Sequence, residues 1–381
     1  MKWLFLILLF STIGTLAQDS TEKVSKWELN GYIKSLQSVN VSGNSNNMLA
    51  TNLLHNRINT RWKPGSGIIV AAEFRTRLIW GDEVRQLPGY AAQLRNSNEF
   101  KDLSLTWIDK NPMVLHTNTE RLWISWDKKK WTIRAGRQRI NWGITTVWNP
   151  NDIFNTYNFL DFDYEERPGS DAVKIKYSTG DFSNVELAYA AGNQSAKPVA
   201  AVKYDFNKKG YDVQLLAGLY QNRLTAGAGW AGSIREAGFK GELQFYSRTT
   251  TQKAHFNASM ESDYAFKNGW YLNAGILYNS EGFSRAVRNF DSLSFKFSPV
   301  SLMPTQWNFM VTGSKEFTPL FTGNLSVLFA PGTNLLLVLP SLRYNLATNL
   351  DADFVWQSFF AETNRFEAMN HRAFLRLKFS F

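Results

Sequence analysis

Hydrophobic and polar residues alternate with a period of two along most of the chain from residue 27 onward. Residues 72–80 show the pattern, because Phe74 and Leu78 share one face while Arg75 and Arg77 share the other. Successive side chains of a β-strand point to opposite faces of a sheet. The alternation therefore predicts strands with one apolar and one polar face, and its repetition to the C-terminus predicts an all-β protein.

The length of these segments favours a membrane barrel over a soluble sandwich. They run for roughly 10 to 13 residues, whereas strands of soluble proteins average about 5 to 6 residues. A tilted strand needs about 9 to 11 residues to cross a bilayer. We therefore predict a transmembrane antiparallel up-and-down β-barrel, with lipid on the apolar faces and polar groups inside.

Turn-forming residues divide the chain into about 18 strands. Short connections such as 207–210 and 347–349 alternate with long ones at 81–116, 142–170 and 281–303. Short connections at one end and long ones at the other are typical of outer-membrane barrels. The predicted strands are 27–41, 53–62, 68–80, 117–126, 131–141, 171–178, 182–192, 198–206, 211–221, 224–232, 236–248, 253–265, 270–280, 305–317, 320–330, 335–346, 350–361 and 370–381.

Two segments bear on this count. Residues 103–108 also alternate but are assigned to a long loop, and a barrel of about 16 strands is the alternative. The final strand ends on Phe381, and its alternating Leu375, Leu377 and Phe379 resemble the terminal strand by which outer-membrane barrels are recognised for assembly. On a soluble edge strand such residues would promote aggregation. The barrel-assembly machinery is therefore an expected partner.

The N-terminus and the composition indicate where such a barrel resides. Lys2 precedes a short apolar run that ends in Thr15-Leu16-Ala17, which predicts a cleaved signal peptide at 1–17 and a single barrel domain at 18–381. The chain has no cysteine, which excludes a disulfide scaffold and a thiolate metal site. Its mean hydropathy of −0.30 is too polar for a bundle of membrane-spanning helices. We expect it in the outer membrane of a Gram-negative cell, in contact with lipid.

The polar faces of the predicted strands form a basic arc and an acidic arc of the barrel wall. The basic arc consists of Arg57, Arg61, Arg75, Arg77, Arg121, Arg134, Lys174, Lys176, Arg372, Arg376 and Lys378. The acidic arc consists of Glu236, Glu242, Glu261, Asp263, Glu316, Asp351 and Asp353. An unpaired charge in an apolar interior costs several kcal/mol. A pore lined by these residues and filled with water is therefore predicted.

The long connection 142–170 is acidic and is predicted to constrict the pore. Its carboxylates are Asp152, Asp161, Asp163, Glu165 and Glu166. An acidic loop folded against an arginine wall would narrow the pore and create a transverse field. The alternatives are a solvated extracellular loop and a site for a divalent cation, although the ligand spacing of a calcium loop is missing.

Residues 136–154 also resemble a known family. Their strand-to-loop motif is similar to that of porin-like outer-membrane barrels of the alginate-export type, through Gly136-Arg137-Gln138, Trp142-Gly143, Trp148-Asn149-Pro150 and Asp152-x-Phe154. The resemblance implies that Arg137 and Gln138 line the channel and that the Trp-Asn-Pro turn shapes the loop. The acidic arc does not fit a pathway for a polyanion, so the resemblance is not extended to alginate as the substrate.

These features predict passive diffusion of small hydrophilic, preferentially anionic solutes, with no cofactor or metal. The alternative is a non-conducting barrel that anchors or exports a surface polysaccharide or serves a secretion machinery. A hydrolase built on His255, Asn257 and Ser259 is disfavoured, because steps of about 6 to 7 Å along one strand face are too long for direct hydrogen bonds. Secretion and inward-facing arginines argue against nucleic acid, despite a net charge of +10.

Overall fold

The computed structural model describes residues 25–43, 48–95, 99–156, 158–163, 166–193 and 197–381. The predicted signal peptide and Glu165 lie outside the described residues. Within these ranges no helix has the length and apolar character needed to cross a membrane.

Antiparallel strands make up nearly all of the regular structure. Two short helices, α1 (Asp82–Gln86) and α2 (Tyr90–Gln93), follow the third strand, and one 3-10 turn covers Phe290–Ser292. The strands are β1 Trp27–Ser42, β2 Met48–Gly65, β3 Ile68–Gly81, β4 Ser104–Lys110, β5 Met113–Lys128, β6 Trp131–Gln138, β7 Ser170–Gly180, β8 Ser183–Ala190, β9 Val199–Lys208, β10 Tyr211–Tyr220, β11 Arg223–Ile234, β12 Ala237–Tyr246, β13 His255–Ala265, β14 Trp270–Asn279, β15 Trp307–Thr318, β16 Phe321–Ala330, β17 Leu335–Ala347, β18 Leu350–Glu362 and β19 Phe366–Ser380.

The sheet closes on itself, because β1 pairs with both β2 and β19. β3 pairs directly with β5, so β4 stands outside the circuit and the closed barrel has 18 strands, as predicted. β4 pairs with β5 at Met113–Asn118, and β6 pairs with the same strand at Leu122–Lys128. The two short strands thus lie one after the other beside β5. Residues 103–108, placed in a long connection by the sequence, form a paired strand within that connection and do not add to the 18 strands of the barrel.

The two ends of the barrel differ in their connections. At one end, named the turn end, Ser66-Gly67 and Lys209-Gly210 form two-residue turns with positive φ at every position (53°, 76°, 54° and 81°). Such turns match the right-handed twist of paired strands. The opposite end, named the loop end, carries the three long connections, although the two-residue turn Gln221-Asn222 also lies there.

Alternation assigns the two faces of the wall. On β2, Leu54 and Ile58 are exposed on the outside (42% and 38%), whereas His55 and Arg57 point inward and are each 1% exposed. An apolar outer surface of this kind is what a lipid bilayer requires of a spanning barrel.

The long connections fill much of the interior with apolar side chains. Trp148 packs with Met303, Leu328 and Leu335, all 3% exposed or less. A second cluster surrounds Trp142. The prediction of a lumen filled with water alone is therefore wrong in these regions, because the loops fold inward and bury their own hydrophobic residues.

Candidate functional site: a passage beside the crossing loop

Residues 139–169, here named the crossing loop, leave β6 and run through the barrel before β7 begins. The first half of this loop, residues 140–151, contacts β12 and β13. The second half, residues 158–163 and 166, contacts β1, β2 and β19 on another side of the wall. The loop therefore bridges the interior and divides the space around it.

Carboxylates of the wall hold the first half through its backbone. Glu242, which has no exposed surface, accepts N–H groups of Thr145 at 2.7 Å and Asn151 at 2.8 Å. Glu261 accepts the backbone N–H of Thr146 at 2.9 Å and its hydroxyl at 2.7 Å. These two members of the predicted acidic arc thus bind the loop instead of facing an open lumen.

Carboxylates of the loop hold the second half against basic residues of the wall. Asp163 lies 2.9 Å from Lys34 Nζ, 3.5 Å from His55 Nδ1 and 3.6 Å from Arg376. Although burial opposes ionisation, the contact with His55 and the charge of Lys34 lower the pKa of Asp163 to about 2. Asp163 is therefore a charged anchor at neutral pH.

Glu166 provides a second anchor nearby. Its carboxylate accepts the Tyr32 hydroxyl at 2.6 Å and lies 3.7 Å from Arg57. Arg121 donates to the backbone carbonyls of Glu166 and Arg167 at 2.9 and 2.6 Å. Asp163 and Glu166 thus both contact basic residues of the wall.

Asp152 and Asp161 do not take part in this contact. Asp152 is 1% exposed and accepts the backbone N–H of Trp142 at 3.4 Å. Burial raises the pKa of Asp152 to about 8. Because Asp152 is enclosed by protein, its prediction as a charge of the constriction is wrong. Asp161 is exposed. Among the residues that the structure describes, no group of three or more His, Cys, Asp or Glu is placed to hold a metal ion.

Several members of the basic arc are paired with carboxylates that the sequence analysis did not assign to it. Arg57 lies 2.5 Å from Glu73, and Arg75 lies 3.0 Å from Glu120. Lys174 likewise lies 3.6 Å from Glu186. Part of the charge of the predicted basic arc is therefore neutralised within the wall.

The other basic residues differ in their surroundings. Arg77 donates to the Leu94 carbonyl at 3.3 Å. Arg134 lies over the Trp123 ring at 4.0 Å, and Lys378 over the Tyr32 ring at 4.7 Å. The exposed members are Arg61 and Arg372, and Lys176 is half-buried.

The acidic arc is also divided. Asp353 pairs with Arg343 at 2.7 Å and with Arg376 at 2.9 Å, and Asp263 lies 3.5 Å from Lys240. Asp351 accepts from Asn345 at 3.0 Å, and Glu316 is exposed near the turn end. The placement of Glu236 on the pore wall is wrong, because it lies exposed in the turn between β11 and β12 and accepts the Tyr264 hydroxyl at 2.9 Å.

Arg137 and Gln138 fix the start of the crossing loop. Arg137, 1% exposed, pairs with Glu99 at 2.8 Å and Asp171 at 2.9 Å. Gln138, with no exposed surface, donates to the Ala172 carbonyl at 3.0 Å. The expectation that these two residues line a channel is therefore wrong, because both are enclosed by protein.

His255 and Ser259, two of the residues considered for hydrolysis, contact different partners. His255 Nε2 lies 3.1 Å from Asn257 Oδ1, so the expectation that this spacing prevents a direct hydrogen bond is wrong for that pair. Ser259 instead lies 3.3 Å from the Thr145 hydroxyl of the crossing loop. The Ser259–Thr145 contact joins the wall to the loop, whereas the His255–Asn257 contact lies within β13.

Two cavities lie on opposite sides of the second half of the crossing loop. The loop-end cavity has a volume of about 560 Å³ and is lined by Arg77 and Arg372 and by several phenylalanines. The turn-end cavity has a volume of about 670 Å³ and is lined by hydroxyl and amide groups and by Arg376. Between them, the Leu160 carbonyl accepts the Gln357 amide at 2.9 Å. A route through the barrel would pass this point.

Comparisons with known proteins show the fold. No family model matches the chain, and no curated protein is similar to it in sequence. Acinetobacter baumannii OccAB4 superposes with a TM-score of 0.60 at 8% identity, covering 94% of this chain and 99% of that one. Pseudomonas aeruginosa OccK9 (OpdG) gives 0.62 at 9% identity, covering 93% and 98%. Pseudomonas aeruginosa OprD gives 0.58 at 8% identity, covering 93% and 95%.

Proposed function

We propose that this chain is an outer-membrane channel through which small hydrophilic solutes diffuse passively, with a preference for anionic solutes. The observation that carries the proposal is the pair of cavities on either side of residues 158–163 inside a closed barrel with an apolar outer surface. A structure of similar fold, opdK of Pseudomonas aeruginosa, is described as an outer membrane protein. The Gram-negative location, the signal peptide and assembly by the barrel machinery belong to the same proposal.

The anion preference rests on residues of the loop-end cavity. Arg77 and Arg372 both line it, and Arg372 is exposed there. Arg57 and Arg75 contribute less, because they are paired with Glu73 and Glu120. Charged side chains around a narrow pore select ions by sign. The resemblance of residues 136–154 to alginate-export barrels adds no substrate to this proposal.

Planar-bilayer recordings test the proposal. Purified, folded protein should conduct, and its reversal potential in a salt gradient should indicate anion preference. The double substitution Arg77→Gln and Arg372→Gln should shift the reversal potential toward cations, whereas Arg365→Gln, which is exposed beyond the cavities and paired with Glu367, should not. Absence of conductance in the wild type and in the loop variants alike would contradict the channel, and an unchanged reversal potential in the double variant would contradict the anion preference alone.

A second candidate is a non-conducting barrel that anchors or exports a surface polysaccharide or serves a secretion machinery. The observation in its favour is the apolar cluster around Trp148 and Met303, which the crossing loop and the connection 280–306 form inside the barrel. A folded wild-type protein that stays silent in the bilayer, together with silent loop variants, would favour this function.

A further inference from the structure

Phe162 of the crossing loop borders both cavities. It lines the loop-end cavity on one side and the turn-end cavity on the other, as does Gln357 of β18. A solute that moves from one cavity to the other would therefore pass the Phe162 ring. The question is what this ring does to that movement.

The ring is held by one contact toward each cavity. Its centroid lies 4.9 Å from that of Phe374, with the planes inclined by 64°, which is an edge-to-face pair. The Arg376 guanidinium lies 5.3 Å from the same ring, within the range of a cation–π contact. Phe374 lines the loop-end cavity and Arg376 the turn-end cavity.

The backbone on either side of Phe162 is anchored more firmly than the ring. Leu160 is bonded to Gln357, and Asp163 is paired with Lys34 and Arg376. Displacing this backbone would break buried ion pairs. Rotation of the Phe162 side chain would break its ring contacts with Phe374 and Arg376 and leave those ion pairs in place. Rotation of the ring is therefore a smaller change than displacement of the backbone, and it could make the two cavities continuous.

We propose that Phe162 is the gate of the passage, an inference that rests on the proposed channel function. An apolar constriction opposes the entry of water and of hydrated solutes. With the ring in place the two cavities are separated, and with the ring rotated away they join. Phe374 and Arg376 act as positioning residues that favour the closed position of the ring.

Single-channel recordings of Phe162→Ala and Phe162→Leu in the full-length protein test the gate. Because pore diameter limits conduction, we expect Phe162→Ala to raise the conductance or the open fraction roughly twofold or more. Phe162→Leu, which keeps an apolar side chain of smaller width, should lie between the wild type and the alanine variant. The matched control is Phe154→Ala on the same loop, because Phe154 packs on Trp142 outside both cavities.

The outcomes separate the gate from the channel. Folding of every variant is checked by circular dichroism, and Phe162→Leu remains informative if the alanine variant does not fold. A conducting wild type with both Phe162 variants unchanged would overturn the gate and leave the channel standing. A silent wild type with conducting Phe162 variants would support the gate. Silence of the wild type and of all variants would overturn the channel, and the gate with it.

Discussion

The two halves of the crossing loop are held by opposite chemistry. In the first half, the wall supplies the carboxylates Glu242 and Glu261, and the loop supplies mainly backbone N–H groups. In the second half the roles are reversed, since the loop supplies Asp163 and the wall supplies cations such as Lys34. The same loop is thus fixed once through its backbone and once through its side chains.

Because of this difference, the attachment of the first half should be insensitive to pH and that of the second half should depend on it. Glu242 has no exposed surface, whereas the Asp163 side chain is 13% exposed and lines the loop-end cavity. Buried backbone N–H groups need a hydrogen-bond acceptor, and this need does not depend on the side chains of the loop. Ion pairs near water depend on the protonation of their partners. The second half, which separates the cavities, should therefore respond to conditions that leave the first half in place.

The largest loss of stability is expected when the first half of the crossing loop is no longer bound by Glu242. Glu242→Ala removes the acceptor of the N–H groups of Ile144, Thr145 and Asn151. Since an unsatisfied buried group costs about 1 to 3 kcal/mol, we expect the free energy of unfolding to fall by about 4 kcal/mol. Thermal unfolding in detergent measures this fall. Protease cleavage within residues 144–151 would show release of the first half.

The control for this variant is Glu316→Ala, because Glu316 is exposed near the turn end. It should leave the unfolding midpoint nearly unchanged. Equal midpoints for Glu242→Ala and the wild type would mean that the first half is held by its apolar cluster and that the carboxylate adds little.

The barrel wall could be predicted from the sequence because lipid imposes a strict period. Every second residue of a spanning strand faces the bilayer, so the alternation and the turn-forming residues between segments together predict the 18 strands. The same alternation places Lys34 on the inner face between Ile33 and Ser35, although it was not assigned to the basic arc. Applying the period to the first strand would have found it.

The pairing of charges could not be predicted in the same way. At a β-bulge in β5, the register shifts by one, and Glu120 and Arg121 are both buried. A bulge places two residues opposite one, which interrupts the period that sequence analysis relies on. In the loop, Asp152 is buried, whereas Asp163 is paired with Lys34, a residue distant in the chain. No local pattern distinguishes them.

A smaller loss of stability is expected when the ion pair that holds the second half of the crossing loop is removed, and this loss should depend on pH. Asp163→Asn removes the charge that pairs with Lys34, and breaking a buried pair costs about 3 kcal/mol. The pKa of Asp163 is lowered from its usual 3.8 to about 2, against burial, by His55 and Lys34. The stabilisation is therefore present above about pH 4 and is lost as the pH falls toward 2.

Unfolding midpoints of the wild type and Asp163→Asn across this pH range provide the measurement. The two curves should differ at pH 6 and converge near pH 2. Asp181→Asn serves as the control, because Asp181 is exposed in the turn between β7 and β8, outside the crossing loop. A gap that stays constant down to pH 2 would mean that the ionised carboxylate does not hold the second half.

The smallest expected effect concerns the hydroxyl that binds Glu166. Tyr32→Phe removes a 2.6 Å hydrogen bond to this carboxylate, and a hydrogen bond to a charged group contributes about 1.5 kcal/mol. Unfolding midpoints measure the loss, with Tyr211→Phe as the control because its hydroxyl donates to the Ser233 carbonyl at the turn end, far from the loop. If Asp163 and Glu166 act independently, the effects of Tyr32→Phe and Asp163→Asn should add in the double variant. A double variant no less stable than Asp163→Asn alone would instead show that releasing Asp163 already frees Glu166, so that the second half moves as one unit.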